Sequence, residues 1–266
     1  METKIDPTKD IVRPSKDVIE ILSGIGADSI TSTMDGLGVH RTFIEGPIAR
    51  VPGSKICGPA LTLRLLPQRE DQLPGYTVPG ESVDSSEYSQ EEETEKRSAL
   101  WDIFAYVQPG DVIVVDGRGD LATGSFGEML MTYFKSRGGA GVVIDTGIRD
   151  SAEIFNDVKM PVWSTAVTTG GVGHLNMYPE DFNLPIACGK VLVRPGDIIM
   201  ADDGGAVVIP PRLIPKLIEI AGERDEHEVF ARMKLQQGGE LNKYYPFNDE
   251  GRREYEEWLA EGKASE

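Results

Sequence analysis

An α/β fold layered around a largely parallel sheet is what this sequence predicts, and three observations carry the prediction. Apolar runs of strand length alternate with amphipathic stretches from Val112 to Thr165, a β-α-β-α-β order that places helices on a parallel sheet. A template then returns: Val107-Gln-Pro-Gly-Asp-Val-Ile-Val-Val-Asp116 and Val193-Arg-Pro-Gly-Asp-Ile-Ile-Met-Ala-Asp202 follow one pattern. Two copies are too few for a solenoid, so the pair reads as equivalent turn-to-strand units of one sheet. Finally, 266 residues, 39% of them hydrophobic, suffice to bury one sizeable core.

The elements follow in order. Ser15 to Ile25 places Val18, Ile19, Ile21 and Leu22 at helical spacing, and Ser29 to Leu37 continues with Ser29 as an N-cap. Ile56 to Leu66 sets Leu61, Leu63 and Leu65 against Thr62 and Arg64, the period of a half-buried strand. Residues 67–97 carry Pro, Gly, Ser and the run Glu91-Glu92-Glu93 with little apolar content, and read as a surface insertion. Ser98 to Val107 predicts an amphipathic helix, and the turn Gln108-Pro109-Gly110-Asp111 leads into a strand over Val112 to Val115. Gly124 to Arg137 predicts a helix through Phe126, Met129, Leu130, Tyr133 and Phe134, closed by Gly138-Gly139. Gly141 to Asp145 reads as a buried strand, Ser151 to Asn156 as a helix, and Val162 to Thr165 and Gly204 to Pro210 as strands. Pro211 to Gln237 is a long helix, and Asn248 to Leu259 is an acidic helix with little to bury, suited to docking on a neighbouring subunit. This divides the chain into one α/β domain over 1–237 and a C-terminal helical arm over 238–266.

Charge and cysteine content narrow the function. Lys+Arg 27 against Asp+Glu 44 gives a net charge of -17, which opposes nucleic acid and anionic lipid. A small polycarboxylate would be repelled too, so a site for one needs a local metal or arginine. Cys57 and Cys188 stand alone, without zinc-ligand spacing, and read as reduced core thiols. Met1 to Val18 has no apolar leader region and no 18 apolar residues run together, so a cytoplasmic protein with no membrane partner is expected.

His40, His174 and His227 show no triad or zinc-hydrolase pattern, and Gly117-Arg118-Gly119 matches neither nucleotide-binding glycine motif. Two segments remain. Gly127-Glu128-Met129-Leu130 opens a helix whose free N–H groups suit a carboxylate. Thr146-Gly-Ile-Arg149-Asp150-Ser-Ala-Glu153 follows the next strand, so both should gather at one sheet edge. Arg149 offers bidentate carboxylate recognition, while Asp150 and Glu153, one turn apart, form a hard-oxygen site for Mg²⁺ or Mn²⁺. On the residues alone, Asp150 as a helix cap beside a surface Arg149 stays equally open. Asp120 and the pair Asp202-Asp203 read as turn chemistry, and Gly171 to Pro179, with His174 and Tyr178, as a loop near the pocket whose histidine is simply exposed, so both stay outside the catalytic set.

From Asp28 to Pro210 the sequence resembles the 4-hydroxy-4-methyl-2-oxoglutarate/4-carboxy-4-hydroxy-2-oxoadipate aldolases and the related RraA-like regulators of ribonuclease E activity. The likeness rests on Asp116 to Asp150 and Val193 to Pro210, and more loosely on Thr31-Ser-Thr-Met-Asp-Gly-Leu-Gly38. The family's signature is an Asp, twenty residues, then Arg-Asp; here Glu128, twenty residues and Arg149-Asp150 fill it, and Glu153 matches an Arg-Asp-x-x-Glu extension. The resemblance implies a layered α/β/β/α sandwich of the swivelling-domain-like type, assembled as a homotrimer or homohexamer. It implies that the amides of Met129 and Leu130, with Arg149, hold a small 2-oxo acid while Asp150 ligates Mg²⁺ largely through water. A further acidic residue is expected from a neighbouring subunit. Glu128 in place of Asp is the departure, one methylene longer.

The activity so implied is a divalent-metal-dependent lyase, a class II aldolase or oxaloacetate decarboxylase that releases pyruvate through its enolate. Glu128 is the nearest base by sequence for the substrate hydroxyl. A related lyase on a sugar-acid-derived substrate and a non-catalytic regulator binding an RNA-degrading enzyme are the alternatives.

Overall fold

The computed structural model describes residues 5–69, 71, 78, 98–170 and 177–262. Most of the expected insertion at 67–97, and residues 171–176 with His174, lie outside the described residues. The chain opens with α1 (Lys16–Gly24) and α2 (Ala27–Gly36), followed by β1 (Phe43–Ile44), β2 (Ile48–Ala49) and β3 (Ile56–Pro67). Next come α3 (Ser98–Asp102), β4 (Val112–Asp116), β5 (Gly124–Phe126), α4 (Glu128–Ser136), β6 (Gly141–Ile148), α5 (Ser151–Glu153) and β7 (Val162–Val167). Then β8 (Met177–Phe182), β9 (Ile186–Cys188), β10 (Val191–Val193), β11 (Ile198–Asp202) and β12 (Gly205–Ile209) lead to α6 (Ile214–Gln236), α7 (Leu241–Tyr244) and α8 (Asp249–Ala260). Among the described residues no helix is long and apolar enough to cross a membrane.

The large sheet runs β1-β12-β11-β3-β4-β6-β7-β2, with β5 beside β6 and β8 beside β3. It is mixed rather than largely parallel. The neighbours β3, β4, β6 and β7 pair in parallel, as the β-α-β alternation requires, whereas β11, β12, β1 and β2 join antiparallel. Three apolar cores make it a four-layer α/β/β/α sandwich. Phe104, Met131 and Phe134 from the helical side meet Leu63, Ile113 and Ile144. Val114, Val143 and Trp163 face Ile199, Ala206 and Val208 between the two halves of the sheet. Leu22, Ile30, Met34 and Leu217 cover Ile198, Met200 and Val207 on the far side.

This layering corrects several sequence expectations. β3 belongs to both halves and is buried on both faces, not half-buried; Thr62 is sealed inside and satisfied by donating to Leu184 O at 2.6 Å. Gly124–Phe126 is a strand instead of the first helical turn, because β6 continues to Ile148 and offers it a parallel partner. Ser29 lies inside α2, and its hydroxyl donates to Asp225 of α6 at 2.5 Å. The helix expected at 98–107 stops at Asp102 and tightens into a 3-10 turn over Ile103–Tyr106, while α5 widens into a π turn over Ile154–Val158. The C-terminal arm has more to bury than its acidic composition suggests: Tyr244 and Tyr255 pack with Phe230 of α6, flanked by Trp258 and Leu259.

The two Pro-Gly-Asp turns are equivalent. Asp111 Oδ2 accepts the Gln108 N–H and Asp197 Oδ2 the Arg194 N–H, each at 2.8 Å, and Gly110 and Gly196 both take left-handed backbones. Their strands β4 and β11 flank β3 on opposite sides, one parallel and one antiparallel. At the other extreme, β1 and β2 end the sheet on opposite edges yet are joined only by Glu45, Gly46 and Pro47.

Candidate functional site

In a parallel sheet the loops after the strands collect at the carboxyl edge. The two sequence segments singled out above meet there. Gly127 follows β5 and holds the N-cap position of α4, and the Arg149 N–H donates to Phe126 O at 3.0 Å, tying the end of β6 to the start of that helix. Asp150 follows in a left-handed conformation, φ 53 and ψ 43, unusual for a residue with a side chain.

The Asp150 carboxylate does not cap its own helix. Its Oδ2 accepts the Glu128 N–H at 3.2 Å and lies 3.4 Å from Arg149 Nε. A Cβ at Gly127 would stand 2.4 Å from that oxygen and 2.8 Å from Arg149 Nε, so glycine is what admits both groups to the helix start. The first helical bond of α4 is Met131 N–H to Gly127 O, at 3.1 Å. The amides of Glu128, Met129 and Leu130 precede it and lack acceptors within the helix, making this end a positively polarised anion cradle.

The side chains divide by environment. Met129 is 67% exposed, Leu130 packs on the core, Glu128 is half-buried, and Arg149, Asp150 and Glu153 are exposed. Among the described residues, no three His, Cys, Asp or Glu side chains gather as a metal cluster. Mg²⁺ needs less: it keeps several waters and takes one or two protein carboxylates plus substrate oxygens, a donor set that Asp150 with Glu153 fits.

Two buried carboxylates that sequence reading passed over lie behind this edge. Asp116 accepts the Arg118 N–H at 3.0 Å and the Ala187 N–H at 3.1 Å, while Asp145 accepts the Gly189 N–H at 3.0 Å. Burial pushes the Asp145 carboxyl above its ordinary value; the Gly189 bond opposes the shift and the neighbouring Asp116 charge adds to it. Their signal was present: each is the acidic residue after an apolar run, Val112 to Val115 and Val142 to Ile144. Burial likewise pushes the Cys57 thiol up to about 12 and the Cys188 thiol well up, and both remain unbridged. Asp120 and Asp202 do turn chemistry, accepting from the N–H groups of Thr123 and Gly204 at 2.8 Å each, whereas Asp203 accepts from the distant Gly53 N–H at 2.8 Å and ties two loops together.

Comparison with known proteins adds identity. A Halalkalibacterium halodurans protein provisionally named 4-hydroxy-4-methyl-2-oxoglutarate aldolase is 36% identical over 107 residues, 38% of this chain and 47% of its own length. An Ectopseudomonas mendocina protein of the same provisional name is 32% identical over 109 residues, covering 39% and 62% respectively. The matches thus span less than two thirds of these relatives. The crystal structure of Streptomyces coelicolor RraAS2, described as an unusual member of the RNase ES inhibitor RraA protein family, superposes with a TM-score of 0.72 at 34% identity, covering 84% of this chain and 98% of that one. The family model described as RraA-like: Aldolase/RraA matches residues 27–208, most of the chain, and the protein belongs to that family.

Proposed function

We propose that this chain is a divalent-metal-dependent carbon–carbon lyase acting on a small 2-oxo acid, such as a 4-hydroxy-2-oxo dicarboxylate or oxaloacetate, to give pyruvate. The observation that carries the reading is the Asp150 carboxylate packed with Arg149 against the glycine-opened start of α4, which joins a cation ligand, a carboxylate clamp and a row of amides. The aldolase names of relatives at 36% and 32% identity support the reaction class.

Asp150, with Glu153 one turn on, would hold Mg²⁺ or Mn²⁺, and the bound cation would supply Lewis-acid polarisation of the 2-oxo group. The amides of Met129 and Leu130 and the Arg149 guanidinium bind the substrate carboxylate and orient the bond to be broken. Glu128, half-buried beside the cradle, takes the proton of the substrate hydroxyl. The electrons of the breaking carbon–carbon bond pass into the enolate of pyruvate, which gains a proton at carbon. Oxaloacetate reaches the same enolate by losing CO₂ and needs no such base. The assembly we infer is a homotrimer or homohexamer.

The test is pyruvate release by purified protein with Mg²⁺ from a panel of 4-hydroxy-2-oxo acids and oxaloacetate. Turnover lost in Asp150→Ala and Arg149→Ala supports the assignments; no turnover of any substrate sinks the lyase reading. A second reading, a non-catalytic inhibitor of an RNA-degrading endonuclease, is favoured by the likeness to RraAS2 along 98% of that chain. Inhibition of such an endonuclease by a chain that releases no pyruvate would establish it.

A further inference from the structure

Arg118 occupies the loop after β4 with a left-handed backbone, φ 57, a strained state for a residue with a Cβ. The loop is held there deliberately. Asp116 Oδ1 accepts the Arg118 N–H at 3.0 Å, the Gly119 N–H donates to Asp145 O at 3.1 Å, and the Asp120 N–H donates to Gly117 O at 3.0 Å. Asp150, also left-handed, sits equally two residues beyond the end of its strand, β6, the neighbour of β4. Backbone strain is thus stored at two adjacent strand ends, one carrying the cation ligand and the other a guanidinium.

Among the described residues that guanidinium has no ion-pair partner. Arginine ion pairs among the described residues are made by Arg13, Arg69, Arg149 and Arg224, and Arg118 is exposed without one. In a chain of net charge -17, an exposed cation on a loop anchored at the carboxyl edge, unpaired among the described residues, is a local exception to a field that repels polyanions. The backbone bond from Gly119 to Asp145 places the loop four residues before Arg149 on β6, about 13 Å along the strand at a rise of roughly 3.3 Å per residue. Arginine side chains are long enough for two based at those points to reach the opposite ends of one short dianion.

From this we infer that Arg118 receives the distal carboxylate of the substrate, so that the site is selective for 2-oxo dicarboxylates over 2-oxo monocarboxylates. The inference rests on the lyase reading, in which Arg149 and the α4 amides take the carboxylate next to the carbonyl. Asp116 then acts as a positioning residue for the Arg118 loop.

The probes are 2-oxoglutarate, a dianion without a 4-hydroxyl, and 2-oxobutyrate, the corresponding monoanion, titrated calorimetrically into the full chain with Mg²⁺. The unmodified chain should bind 2-oxoglutarate roughly tenfold more tightly, as one charge-assisted contact provides. Arg118→Gln should erase that preference and leave 2-oxobutyrate binding within about twofold, with Arg118→Lys recovering part of it. Arg118→Gly, which relaxes the left-handed backbone, should bind as the Gln variant does and so separates charge from strain. Equal losses for both acids, or none, overturn the assignment of Arg118 while leaving the lyase reading standing. Failure of the unmodified chain to bind either acid overturns both.

Discussion

The Glu128 N–H donates to the Asp150 carboxylate at 3.2 Å, so a residue at the end of one strand caps the helix that follows another. This contact, more than any side chain alone, makes one site from two segments 20 residues apart in sequence. It also makes the intervening Gly127 a sensitive position.

Gly127→Ala should disable the site without unfolding the chain. The atoms its Cβ would strike, Asp150 Oδ2 at 2.4 Å and Arg149 Nε at 2.8 Å, belong to flexible side-chain ends that can swing away. We expect kcat/KM for pyruvate release to drop at least ~100-fold, the scale on which misplacement by ~1 Å acts, with stability changed by no more than about 1 kcal/mol. Unaltered kcat/KM would show that the packing seen here is irrelevant to turnover.

Gly58→Ala should do the reverse. Its Cβ would lie 2.0 Å from the Gly110 carbonyl oxygen, which is backbone in a tight turn and cannot swing aside. Overpacking of this kind costs about 3 kcal/mol or more, read as a lowered Tm or failure to accumulate folded protein. An unchanged Tm would contradict it.

The buried Asp145 carboxyl gives a pH signature. Below its ordinary value of 3.8 the group is protonated in folded and unfolded chains alike. Above that value and up to the raised folded one, the folded chain keeps a proton that the unfolded chain has released. Stability therefore falls as pH rises across the window and stays reduced at neutral pH. Asp145→Asn retains an acceptor for the Gly189 N–H and escapes this loss. Urea unfolding at about pH 4 and about pH 7 should show the variant gaining on the parent chain at the higher pH; a constant difference would refute the burial effect.

Phe230 anchors the C-terminal arm, with ring contacts to Tyr244 at 6.1 Å, Tyr255 at 5.6 Å and Trp258 at 5.3 Å. Phe230→Ala should cost about 3–5 kcal/mol locally. Amide hydrogen exchange in α7 and α8 should accelerate while β4 and β6 remain protected. Uniform acceleration throughout would mean that the arm and the sheet unfold together.

Much of this was legible in the sequence because it is periodic. The strand β4, the helix α6 and the paired Pro-Gly-Asp turns follow from local chemistry that burial merely reinforces. Gly124 to Phe126 has the local pattern of a helix start and forms a strand because β6 runs on beside it, a tertiary decision. The meeting of Glu128 with Asp150 could be anticipated from the strand order, since adjacent strand ends share an edge. What could not be anticipated is that Asp150 would turn away from its own helix, which depends on a left-handed backbone at a residue that rarely adopts one. Asp116 and Asp145 escaped notice for a related reason: a carboxylate closing an apolar run looks like a turn residue until the hairpin that donates to it is in place.

The short link of Glu45, Gly46 and Pro47 between β1 and β2 has a topological meaning. One piece of chain finishes both ends of the sheet, so the strands form a girdle fastened by its own clasp. With each terminal strand only two residues long, this girdle offers another polypeptide little backbone on which to extend it. At these two ends a partner, a second copy included, is offered side chains and loops rather than a strand to extend. Circular permutation at Gly46 would unfasten the clasp, leaving two loose borders where the native molecule has a seam.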